Sequence, residues 1–539
     1  MSKSFSFSKT PIIKKSRTRF DLSHSHKTMF NAAELIPFYV QEIYPGDTFK
    51  VNSTNVIRTT TPFIRPVMDN LFLDMFYFFV PNRLVYNNWS AVMGENKDNY
   101  WAETDNVLVP SVYGTVKTGS IADYLGLPIG VINSSIAVNS LPFRAFALIY
   151  NEWFRDQNTQ APVLIPSSYS ISDSLNGEEW SVQNIFGMPP KVNKLHDYFT
   201  SCLPAPQKGN TVDIPVTGKA YVTTGDVPAS LDGTLPGLRW QSGGSVIDGA
   251  AGNLMFRSDG QTSFSGTGAS TNDPIIPANL YANLSESNIN VNDLRFAFQL
   301  QKLLEKDARG GTRYIEYLQS HFGVISPDSR LQRPEFLGGK RMPLNITQVN
   351  QTTSGTGANT LGEVGAYSLT TGKCGFNKGF VEHGFIIGVM CVRQHHTYQQ
   401  GIERFWSRKQ RTDYYDPVFA NIGEQPVLQT ELFVSENSSN ENVFGYNEAW
   451  ADLRYRPSRI SGPLRSQTEE GFDIWHFADD YANAPVLGSE FITETSEYID
   501  RTLSVPSSTA PQFIIDIYNK VSAIRELPMY SVPGLIDHH

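Results

Sequence analysis

From residue 38 onward the chain alternates short apolar runs with turn formers, and the period is more often that of a strand than of a helix. Residues 38–44 (FYVQEIY), the turn Pro45-Gly46-Asp47 and the stretch 48–56 predict strand, turn and strand. Residues 71–80 (LFLDMFYFFV) are apolar almost throughout, which predicts a core strand buried on both faces and ended by Pro81-Asn82. Only Asp74 interrupts that run. Further strands are predicted over 385–392 (FIIGVMCV), 427–433 and 513–517. Helical spacing is local. Pro142 suits a first turn, with a helix over 143–156. Asp293 caps a second helix whose face is Leu294, Ala297, Phe298, Leu300 and Leu304 and which stops at Gly310-Gly311. A third is predicted around 398–408.

Many short strands joined by long connections predict a mainly β protein: a two-sheet antiparallel sandwich of jelly-roll type with long interstrand insertions and a few short helices. Residues 208–290 differ in kind, being rich in Gly, Ser, Thr, Asn and Asp, with short β-like runs such as 219–223. They read as a large, exposed surface insertion in the main fold. Lengthening a loop from about 20 to about 80 residues costs only about 1.2 kcal/mol of closure entropy, so a stable scaffold tolerates it. Residues 351–365 form a smaller loop of the same composition.

Composition sharpens this picture. At 539 residues the length alone does not fix the number of domains, but charged residues are only 18% and aromatics reach 12%. An average soluble domain carries roughly 25% charged residues, so this chain points to extensive surface buried against partners. The net charge of −9 is unevenly spread: Lys3, Lys9, Lys14, Lys15, Arg17, Arg19 and Lys27 face only Asp21 in residues 1–27, a balance of +6 that leaves −15 on residues 28–539. A basic N-terminal arm, extended or ordered only by contacts, thus precedes an acidic body. If about six of its cations meet phosphates of a single strand, binding falls with salt at a log–log slope near −4. A solvated tail, or an arm reaching a neighbouring subunit, are the alternatives.

Candidate chemistry is sparse. Cys202, Cys374 and Cys391 are odd in number and lack a CxxC spacing, which indicates neither a disulfide framework nor a zinc site. His24-Ser25-His26 resembles half of a cupin metal motif, but Glu34 is too distant; His395-His396 reads as a surface or subunit contact. Gly355-Thr356-Gly357 lacks the GK[ST] of a phosphate loop, and Asp479-Asp480 beside Trp475 and Tyr481 reads as interface or turn. Neither G-x-S-x-G nor HExxH occurs. No enzyme, metal or cofactor is expected. No apolar run is long enough to span a membrane, and no apolar core follows the basic N-terminus as in a secretory signal. Aromatics such as Phe405, Trp406, Tyr414, Tyr415 and Trp450 are too numerous for one ligand pocket and fit a core plus protein interfaces. Arg404, Arg408, Arg411, Arg454, Arg456 and Arg459 either pair across such interfaces or meet nucleic acid.

Several long stretches are more specific: 71–86 (LFLDMFYFFVPNRLVY), 151–160 (NEWFRDQNTQ), 196–209 (HDYFTSCLPAPQKG), 307–339, 398–426, 443–466 and 525–538. In this order, across nearly the whole chain, they resemble the major capsid proteins of the Microviridae, in the gokushovirus branch. The resemblance implies a single eight-stranded jelly roll, sixty copies of which form an icosahedral shell around a circular single-stranded DNA genome. It implies that the 208–290 insertion rises as a threefold protrusion and meets a host receptor, and that internal scaffolding, DNA pilot and small basic DNA-binding proteins are partners. The virion, assembled in the bacterial host cytoplasm, is the expected location. Two rivals are a carbohydrate- or receptor-binding β-sandwich attachment protein and a metal-dependent enzyme of cupin type.

Overall fold

The computed structural model describes residues 16–96, 107–167, 174–210, 212, 291–352, 361–435, 441–469 and 471–530, with short backbone strands between residues 221 and 283. Its centre is a pair of antiparallel sheets built from β1 (Thr18–Asp21), β2 (His24–Phe30), β3 (Ile36–Ile43), β4 (Thr48–Thr59), β5 (Leu71–Pro81), β6 (Glu335–Pro343), β7 (Ile346–Asn350), β8 (Val364–Gly379), β9 (Gly384–Gln394) and β10 (Phe513–Arg525). The six-stranded sheet has the order β1-β10-β4-β8-β7, with β2 also on β10; the four-stranded sheet has the order β6-β5-β9-β3. The mainly β, antiparallel sandwich expected from the pattern is therefore present.

Strand alternation explains how the sheets pack. In β5, Leu71, Leu73, Met75, Tyr77 and Phe79 point between the sheets and meet Phe49, Val51 and Ile57 of β4 and Ile515, Ile517 and Val521 of β10. Phe78 and Val80 point the other way, into a second core with Ile387, Val389 and Cys391 of β9 and with α1 (Leu141–Ile149). Each fully buried side chain of this size contributes about 1.5–3 kcal/mol of apolar transfer. The four-stranded sheet is thus covered on both faces, as the continuous apolar run predicts. Asp74 lies on the second face, fully buried. Arg341 grips it with two hydrogen bonds of 2.7 and 2.9 Å, and Arg393 adds two more, from Nε at 3.0 Å and from Nη2. A buried carboxylate persists there because two guanidiniums compensate it.

The six-stranded sheet is different: β4 alternates buried and exposed residues along nearly its whole length, so its outer face is open. The second half of the basic N-terminal stretch belongs to this sheet. Thr18–Asp21 pairs with Ser522–Arg525, and His24–Phe30 with Phe513–Asn519.

Two of the three predicted helices form. The Leu141 N–H donates to Asn139 Oδ1 at 2.8 Å to start α1, which widens into a π turn over Tyr150–Phe154. α2 spans Val291–Gly310, and a further helix, α3, spans Tyr314–Phe322. The helix expected around 398–408 is absent apart from a 3-10 turn at Arg404–Ser407. Its backbone is used laterally instead: the Ile402 N–H donates to Thr430 O at 2.8 Å, the Val434 N–H to Gln400 O at 3.0 Å, and the Gln399 and Gln400 side chains bond the 479–481 backbone. Of the strand expected at 427–433, only its start lies in Glu424–Leu428, and a helical turn follows at Gln429–Leu432.

The chain divides into two compact units, Gln207–Lys306 and the remainder. Within the smaller one, Tyr221–Thr224 pairs with Leu280–Asn283, Trp240–Ser242 with Ser245–Ile247 and Ile276–Pro277, and Asn253–Phe256 with Thr262–Ser265, all antiparallel.

Candidate functional site

Of the cations singled out in the N-terminal stretch, Lys3, Lys9, Lys14 and Lys15 lie outside the described residues. The other three follow the edge of the six-stranded sheet. Arg17 pairs with Glu526 at 3.2 Å, Arg19 donates to Ser522 Oγ at 2.7 Å, and Lys27 stands 3.4 Å from Asp516. The open face continues inward from them through the alternate residues of β10, β4 and β8. There Lys373 aligns with Thr54, Thr54 with Tyr518, Lys520 with Asn52, and Lys50 with both Ser522 and Asn377. The sequence reading passed over Lys50, Lys373 and Lys520, although the period-2 pattern of residues 48–58 already places Lys50, Asn52, Thr54 and Arg58 on one face.

The arginines of residues 404–465 converge. Arg404, Arg454, Arg456, Arg459 and Arg465 line one cleft of about 1080 Å³, with Phe405, Trp406 and Tyr455 among them. Glu403 receives Arg456 at 3.0 Å and also Arg459, while Arg454 reaches Glu448 at 2.6 Å. Arg408 pairs with Asp452. Intrachain carboxylates hold these guanidiniums in fixed positions. Among them Phe405 is 40% exposed and Trp406 71%. Exposed Phe and Trp beside anchored Arg is the composition of a protein–protein contact. A second cleft, about 1000 Å³, brings the 151–160 and 307–339 stretches together, with the Arg333 guanidinium 4.3 Å from the centre of the Trp153 ring.

Neither His396 nor Asp479 is the surface group that their sequence context indicates. The His396 ring is buried with Nδ1 2.7 Å from Asp479 and Nε2 3.1 Å from Glu494, and Lys194 Nζ lies 3.1 Å from the other Asp479 oxygen. Tyr481 donates to the same oxygen at 2.5 Å. Burial disfavours a charged His396, but the two flanking carboxylates outweigh it and its pKa is pushed up to about 10. Burial likewise opposes the Asp479 charge, yet His396 and Lys194 hold that carboxyl well below the usual range. Two cations and two anions thus form a compensated buried cluster that ties β9 to the 191–194, 479–481 and 492–494 segments. No group of three or more His, Cys, Asp or Glu suited to a metal occurs among the described residues.

A two-sheet sandwich with fixed arginines, exposed aromatics and long insertions defines a structural protein that works through association. A capsid protein (F protein) family model matches residues 8–535, and the chain belongs to that family. It is 41% identical to capsid protein VP1 of Spiroplasma virus 4, the alignment covering 96% of this chain and 95% of the relative. To capsid protein VP1 of Bdellovibrio phage phiMH2K it is 39% identical over 98% and 97%, and to that of Chlamydia phage 1 it is 38% identical over 98% and 97%. The resemblance to gokushovirus-type capsid proteins is thereby upheld, and the chain is a structural coat protein rather than an enzyme. Membership places it in the virion, in an oligomeric shell. No helix among the described residues is long and apolar enough to cross a membrane.

Proposed function

We propose that the chain is the major coat subunit of an icosahedral shell of sixty copies enclosing a circular single-stranded DNA genome, assembled in the bacterial host cytoplasm. The single observation that carries association is the anchored arginine and exposed aromatic surface around Trp406, which has the chemistry of an interface and lies bare in the isolated subunit. In this reading the eight strands of the jelly roll are β2-β10-β4-β8 in one sheet and β3-β9-β5-β6 in the other, with β1 prolonging β2 along β10 and β7 added at the free edge of β8. The arm residues Lys3, Lys9, Lys14, Lys15, Arg17, Arg19 and Lys27 contact the packaged DNA. The 208–290 insertion forms the threefold protrusion and mediates host attachment. Internal scaffolding, DNA pilot and small basic DNA-binding proteins assist closure. Negative-stain electron microscopy with the 260/280 nm absorbance ratio tests the reading on particles from infected cells: uniform closed shells with excess 260 nm absorbance are expected, and dispersed subunits that bind glycans overturn it.

A further inference from the structure

We propose that the open face of the six-stranded sheet is a docking surface for single-stranded DNA, centred on Lys373, Tyr518 and Lys520, which lie outside the N-terminal arm and are bordered by its Arg19 and Lys27. This rests on the reading of the chain as a genome-enclosing coat. The three residues line a shallow depression of about 460 Å³ together with Asn52 and Thr54. Lys373 and Lys520 stand on β8 and β10, on either side of β4, so two strand spacings, roughly 10 Å, separate their backbones. Tyr518 is 49% exposed, leaving a ring available for stacking.

Charge selects the occupant. Lys50, Arg58, Lys373 and Lys520 form no ion pair with any described residue, although the chain as a whole carries −9. Of the face's carboxylates, Asp516 pairs with Lys27, while Asp21 accepts from the Ser23 N–H and hydroxyl and lies in the field of Lys520 and Arg19, one negative charge against four cations. Between the cations stand Asn52, Thr54, Thr371, Asn377 and Ser522, small groups able to hydrogen-bond phosphate and sugar oxygens.

The composition also argues against a second copy as the occupant. Interfaces between proteins favour Trp, Tyr, Met and Arg and are depleted in Lys and Ser. The Trp406 surface follows that rule, whereas the Lys373–Lys520 strip inverts it. A single strand rather than a duplex is favoured because only unpaired bases offer a free face to Tyr518. β1 and β2 extend the strip along β10 and add Arg19 and Lys27, so a strand leaving the depression meets further cations.

The test uses the full-length chain and fluorescence anisotropy of a labelled oligothymidylate strand across a salt series. Replacing Lys50, Lys373 and Lys520 together by Gln removes three phosphate contacts at about 0.7 each, so the log–log salt slope is expected to become shallower by about 2. Lys373→Arg with Lys520→Arg restores the slope, and Tyr518→Ala lowers affinity about tenfold at fixed salt without changing it. Matching melting temperatures confirm that each variant is folded. An unchanged slope in the triple Gln variant overturns the site and leaves the arm as the DNA contact. Equal binding of polyglutamate assigns the face to an acidic protein segment and overturns the DNA assignment. Failure of the unmodified chain to bind the strand overturns both this site and the proposed genome contact.

Discussion

His396 gives a prediction whose sign and size follow from the buried cluster. Each of its ring nitrogens faces a carboxylate, at 2.7 and 3.1 Å, and two carboxylate acceptors require both nitrogens to carry protons. Burial disfavours the charge, but the two carboxylates outweigh it and push the folded-state pKa up to about 10 from the ordinary histidine value of 6.5. A histidine whose pKa rises on folding contributes stability that is fully present below the unfolded pKa and is lost as pH climbs through the folded one. Between those values the loss approaches about 1.4 kcal/mol per pH unit, reaching on the order of 5 kcal/mol. Because Lys, Tyr and Cys also titrate at the alkaline end, the measured quantity is the difference between the unmodified chain and His396→Gln, which keeps hydrogen-bonding capacity without the proton. Urea unfolding at intervals from pH 5.5 to 9 should show a constant gap up to about pH 6 that narrows steadily above pH 6.5. A gap that stays flat to pH 9 would mean the ring is not held as a cation, and the account of the cluster would fall.

Arg393→Ala leaves the buried Asp74 to the half-exposed Arg341 alone and should lower unfolding free energy by about 3 kcal/mol; a urea-midpoint shift worth under about 1 kcal/mol refutes the pairing argument. Trp406→Ala should change subunit stability by under about 0.5 kcal/mol yet weaken subunit association by about 2 kcal/mol per contact. Analytical ultracentrifugation separates the two effects, and unaltered association excludes Trp406 from the interface. Deleting residues 225–273 should spare folding and abolish host adsorption; insoluble protein or normal adsorption contradicts a peripheral attachment role. Deleting residues 1–15, which ends before β1, should reduce encapsidated DNA with the sandwich intact by circular dichroism, and an undiminished DNA content rejects the arm as a genome contact.

Legibility followed local pattern. β5 was readable because every residue but one in 71–80 is apolar, and the start of β4 because Phe49, Lys50, Val51 and Asn52 alternate, although further along Ser53 and Asn55 are buried and Val56 is exposed. β8 left no such trace: its sixteen residues, VGAYSLTTGKCGFNKG, include four glycines, and its strand character comes from pairing with β4 over Leu369–Gly379. The stretch at 398–408 has helical spacing, yet partners in distant segments claim its backbone bonds, and tertiary contacts override propensity. The same distance hid the role of His396, whose carboxylates are 83 and 98 positions away. Clustering of Arg454, Arg456 and Arg459 was visible in sequence, but their shared cleft with Arg404 and Phe405 required the fold.

The position of β10 has a consequence for biosynthesis. This strand, the last of the ten in chain order, lies between the N-terminal strands β1 and β2 on one side and β4 on the other, and the Arg17–Glu526 pair spans 509 positions. A nascent chain cannot finish this sheet until residues 513–525 have left the ribosome, and such distant pairing is slow to nucleate. Prematurely terminated products lack the strand that unites both ends and leave the edge of β4 unpaired, a target for chaperones and proteases. The topology thereby makes completion of the sheet depend on the chain reaching residue 525.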